Sequence, residues 1–155
     1  MDARIDAVRV AGTPDGAVPV VLLTPDDESD REDCEEAVLP IFIGFDEAVS
    51  IARGLDAVDI GRPLTHDLLL DVVEELGGRV SRVVVSAVED GTYIADLHVD
   101  TPRTGAVVDA RPSDSLAIAA RTNAPIEVAD DVFEDGRKPR AEFADFADIR
   151  EVASV

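Results

Sequence analysis

The chain has 155 residues, 46% of them apolar, and its 14 basic and 34 acidic side chains leave a net charge of −20. That length fits one domain, since domains commonly run to roughly 100–200 residues, and the Val, Leu, Ile and Ala content excludes a disordered acidic polypeptide. The charge excludes a broad basic surface, and with Lys138 as the only lysine it points to adaptation to very high internal salt, where the Debye length falls to about 3 Å.

The amino-terminal "MDARIDAVRV" lacks the apolar core of a signal peptide. It alternates instead, and predicts a strand from Arg4 to Val10. "TPDG" is a turn, and "VPVVLLT" completes a hairpin. "PDDESDREDCEE", Pro25 to Glu36, reads as a solvated acidic loop. Cys34 within it is the only cysteine, so no intrachain disulfide forms, and a reducing cytoplasm fits.

"AVLPIFIGF" reads as a buried strand and "DEAVSIARGL" as a helix capped by Asp46. "LTHDLLLDVVEELGG" predicts a second helix, with Thr65 as N-cap, a staple of Leu64 on Leu69, and a packing stripe of Leu68, Leu69, Val72, Val73 and Leu76. "RVSRVVVSAVED", "TYIADLHVD" and "AVVDA" are three strands, the first two joined at Asp90-Gly91; His98 alternates within the second as a structural residue. "RPSDSLAIAARTN" is apolar almost all round, which predicts a buried helix. "PIEVADDVF" reads as a last short strand, "EDGRKPR" as a linker, and the closing stretch as a short helix with Phe143, Phe146 and Ile149 three apart.

No run approaches the roughly 18 apolar residues of a membrane span. The expectation is a cytoplasmic α+β protein with no membrane partner, a mainly antiparallel sheet and about three main helices. One domain covers 1–135, and 136–155 form a short extension. "DEAVSIA" from Asp46 also echoes "SDSLAIA" from Ser113. A duplicated strand–helix unit and two helices with the same capping chemistry both account for this.

Two polar constellations stand out: Arg62, Thr65, His66 and Asp67 in "GRPLTHDLL", and Asp109, Arg111, Ser113 and Asp114 in "DARPSDS". Each places arginine before proline at a helix entrance, where free N–H groups and the helix dipole favour an anion. Arginine adds a two-pronged phosphate donor, histidine moves protons near neutral pH, and paired carboxylates hold Mg²⁺ or Mn²⁺. Together these are the ingredients for cutting a phosphodiester. A structural reading stays open. In it Asp67 and Asp114 stabilise helix starts, Thr65 and Ser113 are caps, and Arg111 bridges Asp109 and Asp114.

"LPIFIGFDEAVSIA", "RPLTHDLLLDVVEELGG" and "VDARPSDSLAIAARTNAPIEV", in this order, resemble the bifunctional nuclease family, over about Arg4 to Phe133. The resemblance implies a compact α+β domain active on both DNA and RNA, and carries over the eight residues of the two constellations. In a metal-assisted nuclease His66 would be general base or acid. Asp67, Asp109 and Asp114 would be catalytic carboxylates and ligands of Mg²⁺ or Mn²⁺. Arg62, Thr65, Arg111 and Ser113 would bind the nucleic acid. The alternative is a non-catalytic interaction or regulatory module in which both motifs are structural. A homo-oligomer, with a dimer favoured, is expected on either reading.

Overall fold

The computed structural model describes residues 1–26, 37–59 and 61–155. β1 (Asp2–Thr13) and β2 (Gly16–Pro25) form the first hairpin, and β3 (Ala37–Phe42) returns antiparallel to β2. β4 (Arg79–Glu89), β5 (Thr92–Asp100) and β6 (Gly105–Ala110) form a second antiparallel meander. The expected turn at Asp90-Gly91 takes φ 51° and 78°, the double positive φ that a two-residue hairpin of this hand requires.

β7 (Ile126–Val128) lies between the two meanders, parallel to β4 and antiparallel to β1, and fuses them into one sheet. β8 (Lys138–Pro139) adds to β3 and β9 (Ala147–Asp148) to β1. Among the described residues the result is a mostly antiparallel nine-stranded sheet, ordered β6-β5-β4-β7-β1-β2-β3-β8 with β9 off this path against β1. The helices are α1 (Phe45–Leu55), α2 (Thr65–Glu75), α3 (Pro112–Ala119), α4 (Asp130–Gly136) and α5 (Ile149–Val152). The first three are the expected ones, and the class is α+β.

β2 explains the layering. Val21 and Leu23 join the main core with Ile51, Leu116, Ile118 and Val83. Val20 and Leu22 instead face a smaller cluster with Val38 and Phe143. A strand buried on both faces reads as an uninterrupted apolar run, which is how "VPVVLLT" looks.

The carboxy-terminal stretch departs from its expected linker and helix. A 3-10 turn (Arg140–Phe143), β9 and α5 replace them. Phe143 fills the second cluster, Phe146 meets it edge-on at 5.4 Å, and Ile149 turns back into the main core. Arg140 pins the turn with bonds of 3.1 and 3.2 Å to the Asp6 carboxylate. The strand expected through Phe133 also stops at Val128, because burying Val132 and Phe133 together takes a helical turn.

The caps and α2 are corrected too. Gly44 and Leu64 occupy the N-cap positions expected for Asp46 and Thr65, which moves both by a residue or two into the first turn. The α2 stripe faces outward: Leu68, Leu69, Val72 and Leu76 are exposed, Leu76 to 75%. The helix turns His66, Asp67, Leu70 and Val73 inward instead. Apolar residues occupy most of its circumference, so the hydrogen bonds of His66 and Asp67 decide its rotation.

Of the acidic stretch, Pro25 closes β2 and the Asp26 N–H donates to Asp2 O at 3.0 Å. Residues 27–36, with Cys34, lie outside the described residues. Among the described residues no helix is long and apolar enough to cross a membrane.

Candidate active site

α1, α2 and α3 meet on one face of the sheet. α1 and α3 approach so closely at Gly54 that a Cβ there would lie 2.9 Å from the Ala120 Cβ. This contact brings Ser50 of α1 and Asp114 of α3 to opposite sides of the His66 ring. Ser50 Oγ lies 2.7 Å from His66 Nδ1, and Asp114 Oδ1 lies 2.9 Å from Nε2. Ser50 Oγ also accepts a bond from Arg121 Nη2 at 3.1 Å. An ionised carboxylate only accepts, so Nε2 carries a proton and donates it to Asp114, and in that neutral tautomer Nδ1 accepts from the Ser50 hydroxyl.

Two arginines hold this core from outside and inside. Arg111 is the N-cap of α3, extended at φ −67° and ψ 144° with Pro112 behind it, as a residue before proline should be. Its Nε donates to Asp114 Oδ2 at 2.9 Å, and its Nη2 lies 3.5 Å from Glu47 Oε1. The bridge from Asp109 to Asp114 is therefore corrected: Glu47 takes the place of Asp109, which is exposed on β6 opposite Asp96. In the internal echo Glu47 and Asp114 occupy matching positions, and both take Arg111.

Arg121 is only 8% exposed. Its Nε donates to Asp67 Oδ1 at 2.7 Å, and its Nη1 to Ser50 O at 2.9 Å and Ala117 O at 2.8 Å. Asp67 Oδ2 accepts the Leu64 N–H at 3.2 Å. Burial pushes the Asp114 carboxyl up, but the bonds from Arg111 and His66 outweigh it and hold the group below the usual carboxylate range. Asp67 is held low in the same way: burial opposes ionisation, and the bond and charge of Arg121 prevail.

His66, Arg111 and Asp114 line an open cleft of about 560 Å³ together with Phe45, Ser50 and Arg53, while Asp67 and Arg121 border other clefts. Thr65 lies on its rim. Ser113 is buried and borders the neighbouring cleft, and Arg62 is exposed on the loop before α2. Thus His66, Asp67, Arg111 and Asp114 come together in one network, whereas Arg62 and Asp109 stay outside it.

Among the described residues no group of three or more His, Cys, Asp or Glu side chains is placed to hold a metal ion. Asp67 and Asp114 each have both oxygens engaged by protein donors, and Asp109 lies on β6. In this arrangement the three carboxylates do not form a donor set for Mg²⁺ or Mn²⁺.

The sequence reading misses Glu47, Ser50, Arg53 and Arg121. The echo around Glu47 and Ser50 was the available clue, together with the scarcity of cations that makes a buried Arg121 informative. Arg53 Nε is buried without a hydrogen-bond partner among the described residues, and the Arg53 Nη2 reaches Ser154 O at 3.4 Å.

The comparisons with known proteins bear on this site. Residues 30–140 match the bifunctional nuclease domain, a span that holds both motifs together with Ser50, Arg53 and Arg121. An uncharacterized protein of Mycobacterium tuberculosis is 42% identical over 114 residues, which is 74% of this chain and 63% of that protein. Bifunctional nuclease 2 of Arabidopsis thaliana is 31% identical over 100 residues, covering 63% of this chain and 30% of the relative. Bifunctional nuclease 2 of Oryza sativa subsp. japonica is 29% identical over 100 residues, 63% of this chain and 31% of the relative. The chain thus spans less than two thirds of the length of each of these relatives. With its match running over most of the chain and through both motifs, the chain belongs to the bifunctional nuclease domain family.

Proposed function

We propose that the chain is a nuclease of a high-salt cytoplasm that hydrolyses phosphodiesters of DNA and RNA. One observation carries the reading: two motifs 48 residues apart meet as a hydrogen-bonded His66–Asp114 pair at 2.9 Å in a cleft bordered by two arginines. Arg111 and Arg53 are the phosphate contacts. His66 is the proton-transfer group. Both ring nitrogens are held by the protein, so its proton traffic runs through the Ser50 hydroxyl or the Asp114 carboxylate. Asp114 orients the ring. Local arginines supply the attraction that the net charge of −20 denies to the surface at large.

The test is cleavage of labelled DNA and RNA by purified protein at molar KCl, with Mg²⁺, with Mn²⁺ and with chelator, beside His66→Ala. Cleavage by the wild type and its loss in the variant support the reading. A variant that loses stability while the wild type cuts nothing supports the rival, a non-catalytic module.

Self-association is the second part of the proposal. The outward stripe of α2 leaves Leu68, Leu69, Val72 and Leu76 exposed on a highly charged chain, and such a patch marks an interface. A second copy presents the same stripe about a two-fold axis, and molar salt screens the repulsion. Sedimentation at molar KCl should give a dimer that Leu68→Glu dissociates. A wild-type monomer removes this part.

A further inference from the structure

The aromatic residues are few and unevenly placed. The chain has five phenylalanines and one tyrosine. Phe133 and Phe143 are buried, and Phe146 packs on Phe143. The other three all border the candidate site. Phe45 lies in the cleft with His66, while Phe42 and Tyr93 line a neighbouring cleft of about 570 Å³. Arg111 and Glu47 border both clefts. Phe42 is 59% exposed and Phe45 39%, although each sits on a regular element that offers buried positions. Arg111 is 66% exposed, with Nε held by Asp114 and Nη2 facing Glu47. Among the described residues no contact takes its Nη1 edge, and the guanidinium is fixed in direction.

We infer that the two clefts form one groove for a single-stranded nucleic-acid segment, its bases stacked on Phe42 and Phe45 and a phosphate held by Arg111. This rests on the nuclease reading for the identity of the site and adds the substrate class and the binding mode. Each base has a π-face, so aromatic platforms take single strands of any sequence. A duplex keeps those faces stacked inside and offers none to Phe42 or Phe45. The mode also answers the charge of the chain. Binding through many phosphate contacts collapses as salt rises, and a chain of net charge −20 starts at a further disadvantage. Stacking releases no counterions and keeps its strength at molar salt. Tyr93 forms the partly buried wall of the groove, and burial pushes its phenol up, so it stays neutral beside the strand.

Fluorescence anisotropy tests this with three cleavage-resistant, phosphorothioate-linked probes: oligo(dT), an abasic strand of the same length, and a duplex. The inference expects oligo(dT) to bind at least about tenfold more tightly than either of the others, and Phe42→Ala to lose at least about tenfold. Val107→Ala, an exposed apolar residue on β6, is the control and leaves binding unchanged. Oligo(dT) affinity should fall no more than about fivefold over a tenfold rise in KCl, the share of one single-strand phosphate contact. Equal binding of the abasic strand, or an unaffected Phe42→Ala, overturns the inference. So does uptake of an apolar dye in the groove with no oligonucleotide binding, which assigns it to another occupant. The two readings fail separately. Cleavage without base dependence removes the groove and keeps the nuclease; base-dependent binding without cleavage removes the nuclease and keeps the groove.

Discussion

Arg121→Ala should be among the most damaging single changes to the helical layer. The side chain is 8% exposed and donates to Asp67, to Ser50 O and Oγ, and to Ala117 O. Removing one partner of a buried ion pair costs about 3–5 kcal/mol when the other is stranded. Asp67 is 33% exposed and keeps the Leu64 N–H, so water and that bond absorb part of the loss. About 2–3 kcal/mol remains. In a domain of this size each kcal/mol moves Tm by about 2–4 °C, which gives a fall of roughly 5–10 °C. Thermal unfolding followed by circular dichroism at fixed molar salt measures it. Arg121→Lys keeps the charge without the planar fork and should recover less than half. A loss within about 0.5 kcal/mol, the range of an ordinary surface change, would refute the claim that this guanidinium ties the three helices together.

Three further outcomes follow from the same contacts. Phe143→Ala should cost about 3–5 kcal/mol by emptying the second cluster, measured by denaturant titration, whereas a solvent-exposed terminal helix would lose almost nothing. Asp67 and Asp114 are held below the ordinary carboxylate range. Their contribution is therefore complete above the unfolded value of about 3.9 and is lost as pH falls below it through the folded values. A pH series of Tm should show that loss below about pH 4, and it should shrink in Asp67→Asn. Asp109→Asn should leave stability within about 0.5 kcal/mol, while Asp114→Asn lowers it, because only Asp114 joins His66 to Arg111.

The parts legible in the sequence are those set by local chemistry. Asp90-Gly91 marks its hairpin because both residues take positive φ. Pro112 marks the start of α3 because its missing N–H costs nothing there. The eight motif residues are visible for the same reason, as polar groups crowded at helix entrances. Their convergence is not visible, since it depends on how closely α1 passes α3 at Gly54. Ser50 and Arg121 look like ordinary helix-face residues until that contact forms. The rotation of α2 is hidden because Leu68, Leu69, Leu70, Val72 and Val73 leave two apolar faces to choose from. The closing stretch misleads for a related reason: the spacing of Phe143, Phe146 and Ile149 fits a helix, but the residues serve two different cores.

The central claim is that the two motifs form one catalytic unit through His66 and Asp114. A double-mutant cycle on cleavage rate at molar KCl, with His66→Ala, Asp114→Asn and the pair, tests it most directly. Residues that act as a unit are far from additive, so the double variant should be no slower than the slower single one. A double variant whose loss equals the product of the two single losses would mean that His66 and Asp114 act independently, and would contradict the account.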